Sequence, residues 1–326
     1  MVTAAMYQQH FGLRETPFGI TPNPAFFYSG NTRGEILDAL LYAVCHGEGI
    51  VKVTGEVGVG KTMLCRMLEQ RLPAHVEVIY LVNPNLDAVE VQYAIAAELG
   101  LATRGYRVDE VQRAVHAHLI ARHGQGRNVV LLVEEAQAMP LTTLEAIRLL
   151  TNLETARSKL LQIVLFGQPE LDRHLDLPSM RQLKERITHS FEVPAMAPAL
   201  VADFLAFRLA AAGHDGAPVF TSDAVRLIAD ASEGIVRRIN VLADKALLAA
   251  FADDAATVEA RHARLAIGES PYRSYRSSRS HGGSWPIARW FGNVQRRTVA
   301  IACTLSLLFA AFVALYWSVL ARASEL

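Results

Sequence analysis

Cysteine is scarce in this 326-residue chain: Cys45, Cys65 and Cys303 are the full complement. Three thiols cannot build a disulfide framework, and none stands at metal-ligand spacing, so a reducing compartment is expected. Net charge is also lacking, at 32 basic against 32 acidic side chains, but that balance hides an asymmetry. Between Pro271 and Thr298 acidic residues are absent, while six arginines stand at 273, 276, 279, 289, 296 and 297. Residues 1–271 carry 25 basic and 31 acidic side chains, a balance of −6 that argues against a broad basic footprint for nucleic acid. From Thr298 to Ala321 there is no charge at all, and the run is rich in Ala, Leu, Val and Phe. Such a run has the length to cross a bilayer core of about 30 Å as a helix. The positive-inside rule then keeps the arginines, and the globular part before them, on the cytoplasmic side. Met1–Ala5 lacks the charged and apolar pattern of a signal peptide, and no internal repeat is visible.

What the chain does have is a glycine-rich loop in a specific setting. The apolar run Gly49–Thr54 is followed by Gly55-Glu56-Val57-Gly58-Val59-Gly60-Lys61-Thr62 and then by Met63 and a helical pattern. A strand feeding G-x-x-x-x-G-K-[ST] and a helix is the context a phosphate-binding P-loop requires. The glycines let backbone N–H groups turn inward to the phosphates, and the helix N-terminus adds its positive dipole end. Lys61 is placed for the β/γ-phosphates, and Thr62 offers Mg²⁺ a hydroxyl oxygen. The expected ligands are ATP and Mg²⁺.

The pattern around the loop predicts an α/β fold. Helical periodicity covers 32–45, and strands are expected at 76–82, 128–133, 160–166 and 189–193. Helices fall between them at 87–99, 108–122, 142–153 and 178–186. Strands alternating with helices at this spacing give a parallel sheet covered on both faces. From 197 onward the pattern is helical only (198–213, 222–232, 235–252 and 259–267), a small all-α lid. The resulting division is an aromatic and Pro-rich segment 1–31, a P-loop domain 32–196, the lid 197–269, a basic linker 270–297, a membrane span 298–321 and a tail 322–326.

Strand 128–133 delivers Glu134 and Glu135 at its end, which matches the Walker B arrangement. The first carboxylate is the metal partner and the second polarises the attacking water. Asp is usual at the first position, so Glu134 bears on the hydrolysis rate. Gln168, after the strand at 160–166, is placed to sense the γ-phosphate or orient the water. Arg181 and Arg186 are both candidates for a finger reaching a neighbouring subunit's nucleotide, with Arg186 preferred. Arg237, opening a lid helix, is the candidate to contact the phosphates from above.

These segments together resemble the AAA+ secretion ATPases of the general secretion pathway protein A (ExeA) type, especially the MshM-like ATPases of MSHA pilus biogenesis. The resemblance is carried by MYQQHFGLRETPFGITPNPAFF, GEGIVKVTGEVGVGKTMLCRML, TNLETARSKLLQIVLFGQPELD, RQLKERI and EGIVRRINVLADKALLAA, spanning residues 6–267. It implies a homo-oligomeric ATPase at the bacterial inner membrane that powers or organises a secretion or type IV pilus-like envelope machine. The chain departs from the family at Glu134 and at Gly234-Ile235-Val236-Arg237, where Gly-x-Pro-Arg is common. About five residues follow the expected span, so peptidoglycan binding is not carried over. Two other functions share this fold: a DNA-associated transposition helper, disfavoured by the −6 balance, and a nucleotide-gated interaction protein with little turnover.

Overall fold

A computed structural model describes residues 7–47, 49–155 and 158–271. The expected span, its tail and all but the first two residues of the basic linker lie outside them. Among the described residues no helix is long and apolar enough to cross a membrane.

Five short strands, β1 (Ile50–Thr54), β2 (Val76–Leu81), β3 (Asn128–Val133), β4 (Gln162–Gly167) and β5 (Ile187–Glu192), form one parallel sheet in the order β2-β3-β4-β1-β5. β3 and β4 read as nearly unbroken apolar runs because helices cover both faces of the sheet. Successive side chains still point to opposite faces. Val129, Leu131 and Val133 join Ile163 and Leu165 in one core, against helices α3 (Glu90–Glu98), α4 (Val108–Gly124) and α5 (Leu141–Leu150). Val130 and Leu132 join Val164, Val51 and Val53 in the other, under α1 (Arg33–His46) and α2 (Lys61–Arg71). Since all strands run the same way, the loops after β1, β3 and β4 emerge at one edge, where ligands of open α/β sheets bind. β4 sits between β1 and β3, with Gly167 level with Thr54 and Leu165 level with Val133.

Two stretches differ from the sequence reading. The helical stretch expected at 178–186 is a 3₁₀ turn, Pro178–Met180, followed by the single-turn α7 (Arg181–Lys184). Ahead of it lies an unexpected helix, α6 (Glu170–Leu175), whose Leu171 and Leu175 are buried one turn apart. Pro169 and Pro178 bracket that turn and keep it short. Strand β5 begins two residues earlier than expected because it is an edge strand of alternating half-buried and exposed residues, Thr188, His189 and Ser190 among them. Its apolar signal is correspondingly weak.

The lid helices are α8 (Val201–Ala211), α9 (Ser222–Ser232), α10 (Val236–Ala252) and α11 (Ala260–Gly268). Residues 7–31, read from sequence as a segment of their own, pack with this lid. Tyr7, Phe11, Leu13, Phe18 and Phe26 share a core with Phe204, Leu205, Leu242 and Ala246. Burial of each such large side chain contributes roughly 1.5–3 kcal/mol. Polar ties fix the path: Tyr7 Oη donates to Asp244 Oδ1 at 3.0 Å, and Arg14 N to Ala212 O at 2.8 Å. Arg208 Nε donates to Pro17 O at 2.5 Å, while its guanidinium lies 4.5 Å over the Phe26 ring. Burial lowers the pKa of Arg208 to about 10, so it stays charged throughout the working range.

Candidate functional site

A cavity of about 270 Å³ opens at the C-terminal edge of the sheet, lined by Val57 through Met63, Glu135, Gln168 and Arg237. The loop between β1 and α2 forms its floor. Gly58 has φ +84°, and a Cβ there would come within 2.8 Å of Arg237 Cβ, so the loop and the lid meet at a position only glycine fits. Lys61 is 7% exposed, and its ammonium donates to Gly55 O at 2.7 Å and Glu56 O at 3.0 Å. Burial pulls its pKa down, and Glu135, Glu56, Glu134 and Glu170 oppose the shift. Glu56 points its side chain outward and serves through its backbone.

The two acids after β3 take different partners. Thr62 Oγ1 donates to Glu134 Oε2 at 3.1 Å, and the Tyr80 hydroxyl donates to Glu134 Oε1. Glu135 turns the other way because its backbone is left-handed, with φ +52°. Its Oε2 accepts from Gln137 Nε2 at 2.7 Å and from Gln168 Nε2 at 3.0 Å, and Gln168 N donates to Gln137 Oε1 at 2.9 Å. Burial pushes the Glu135 carboxyl up. The Gln137 and Gln168 amides, with Lys61 and Arg237, more than reverse that and leave it below the usual carboxylate range. Glu135 is therefore an ionised base aimed at the cavity.

Arg237 reaches the site although Val236 stands where Pro is common. Its N–H donates to Gly58 O at 3.0 Å, and Gly234, at φ +71°, makes the turn that precedes it. A Cβ at 234 would lie 2.2 Å from Met196 O. Arg186 does not join the cavity of its own chain. It precedes β5 at the far edge of the sheet, where Nη1 donates to Thr151 Oγ1 at 2.5 Å. Arg181 is exposed and paired with Glu185.

Sequence reasoning missed several residues of the site. Gln137 stands two residues past Glu135, in a position where its amide was there to be read. Tyr80 sits on β2, three places away in the sheet from β1, which spacing alone does not reveal. Gly19 to Pro22, Phe26 to Tyr28, Phe204 and Asn240 also wall the cavity, bringing the chain's start against the lid. Arg33 stands one helical turn before Leu37 on the buried face of α1, a signal that was present. Its Nη2 donates to Val59 O at 3.0 Å and Pro194 O at 3.3 Å, bracing the loop from behind.

The residues fit a Mg²⁺-nucleotide. Two lining residues bury a polar atom with no partner among the described residues, Arg33 Nη1 and Asn240 Oδ1, and a nucleoside offers both acceptors and donors. Thr62 and Glu134 supply hard oxygen donors side by side. Among the described residues no group of three or more His, Cys, Asp or Glu forms a metal cage, which is the usual case for Mg²⁺, held by one or two protein oxygens plus phosphates.

Comparison with known proteins agrees with this geometry. Residues 45–175 match the AAA domain family. General secretion pathway protein A of Aeromonas hydrophila is 43% identical over 248 residues, covering 76% of this chain and 45% of that protein. The chain thus spans just under half the length of this relative. The fold is shared with the Aeropyrum pernix ORC2 protein in its ADPNP–ADP complexes (TM-score 0.58, 17% identity, 76% of this chain and 72% of that one). It is shared also with Cdc6p from Pyrobaculum aerophilum (TM-score 0.55, 18% identity, 72% and 67%). With its parallel sheet, P-loop and helical lid, the chain has the AAA+ P-loop fold, carries an AAA domain at residues 45–175 and is related over three quarters of its length to general secretion pathway protein A.

Proposed function

We propose that this chain is an ATP hydrolase working as a homo-oligomer to drive or regulate assembly of a secretion or type IV pilus-like apparatus. The observation that carries the reading is the division of the two acids: Glu134 rests on the Thr62 hydroxyl, Glu135 on two glutamine amides, both beside Lys61. Lys61 exchanges its loop carbonyls for phosphate oxygens when nucleotide enters. Thr62 and Glu134 would hold Mg²⁺, which neutralises charge on the phosphates. Glu135 takes the role of polarising the attacking water, with Gln168 orienting it and Arg237 adding positive charge from the lid. Arg186, at the opposite edge, is free of its own site and is the candidate to complete a neighbour's.

The secretion apparatus is inferred from the relative's name, the pilus-like alternative from the resemblance carried by the sequence segments, and anchorage in the inner membrane from the run 298–321 with arginines before it. Replacing Lys61 by Ala removes charge-assisted bonds to phosphate and is expected to weaken Mg-ATP binding by about a hundredfold, measured by titrating a fluorescent ATP analogue into the full chain. Undiminished affinity would sink the proposal. Glu134 in the Asp position favours a second reading, a nucleotide-gated interaction protein. Tight binding without phosphate release would select it.

A further inference from the structure

Glu134 is one methylene longer than the Asp usual at its position, and the structure shows what restrains it. Its backbone N donates to Leu81 O at 3.2 Å, which keeps the chain alongside β2 just past the last paired residues, Leu81 and Val133. Tyr80, one residue back on β2, packs against the core under α1 and α2, the side from which Thr62 approaches. Its hydroxyl donates to Glu134 Oε1 while the Thr62 hydroxyl donates to Oε2, so both carboxylate oxygens are held from different elements.

We infer that Tyr80 is a positioning residue for the metal carboxylate: its hydroxyl folds the longer Glu134 side chain back over Thr62, restoring the placement a shorter Asp would have unaided. An unrestrained glutamate would spread its carboxylate over several rotamers, and outer partners of this kind set metal affinity more than fold. The inference rests on the metal role proposed for Thr62 and Glu134.

The test is a Mg²⁺ titration of the full chain at fixed fluorescent ATP analogue. Tyr80→Phe, which keeps the ring and its packing, is expected to raise the half-saturating Mg²⁺ about tenfold while leaving Mg²⁺-free binding and the melting temperature unchanged. In a Glu134→Asp background the same change is expected to shift it less than about twofold, because the shorter acid has no need of the tether. A half-saturating Mg²⁺ unmoved by Tyr80→Phe, or an equal loss with and without Mg²⁺, overturns the Tyr80 role alone. Binding by the unmodified chain that ignores Mg²⁺ overturns the metal reading and this inference together.

Discussion

At the scale of single residues, the site depends on which way two adjacent acids face. Glu134 continues the strand and reaches Thr62. Glu135 reverses into a left-handed conformation that β-branched or bulky side chains avoid and meets Gln137 and Gln168. Glu135→Gln keeps the shape of that side chain and removes its charge and basicity. It is expected to lower phosphate release by about a hundredfold or more and to leave affinity for the ATP analogue nearly unchanged. A steady-state phosphate assay beside a binding titration separates the two. Equal turnover would take Glu135 out of the chemistry.

At the scale of elements, the P-loop strand, the two-acid strand and the lid were legible in the sequence because each carries a strong periodicity and ends in a distinctive group. Edge strand β5 and helix α6 were blurred for opposite reasons: one half-buried with little apolar signal, the other two turns at most between prolines. The aim of Arg237 was legible as a residue but not as a geometry. Its turn is set by Gly234 and by a backbone bond to Gly58, so Val236 in the Pro position leaves it intact. Gly234→Ala places a methyl against Met196 O in a left-handed turn, at a cost of about 2 kcal/mol or more. The expected result is a melting temperature lower by several degrees together with weaker nucleotide binding. An unchanged melting curve would show that the turn accommodates a side chain.

At the scale of the whole described fold, the sequence reading separated what the structure joins. Its first aromatic stretch is held to the lid by packing and by the Tyr7–Asp244 hydrogen bond. Burial raises the Asp244 carboxyl above the ordinary aspartate range, against the opposing pull of the Tyr7 bond. The native state therefore binds the proton more tightly than the unfolded chain, and this group's contribution to stability falls as pH rises from about 4 through the folded pKa. Asp244→Asn still accepts from Tyr7 and carries no charge. Its melting temperature is expected to gain on that of the unmodified chain as pH increases across this window, followed by thermal melts at successive pH values. A constant gap between the two proteins would contradict the raised carboxyl.

Because Gly19 to Pro22 and Phe26 to Tyr28 form one wall of the cavity and Val236, Arg237 and Asn240 another, the pocket is stitched from stretches more than 200 residues apart in the chain. During synthesis the glycine-rich loop emerges early, yet it has no roof until α10 has left the ribosome. Capture of nucleotide thus coincides with completion of the fold, and an unfinished chain that already displays its loop and both acids still holds only part of a binding site.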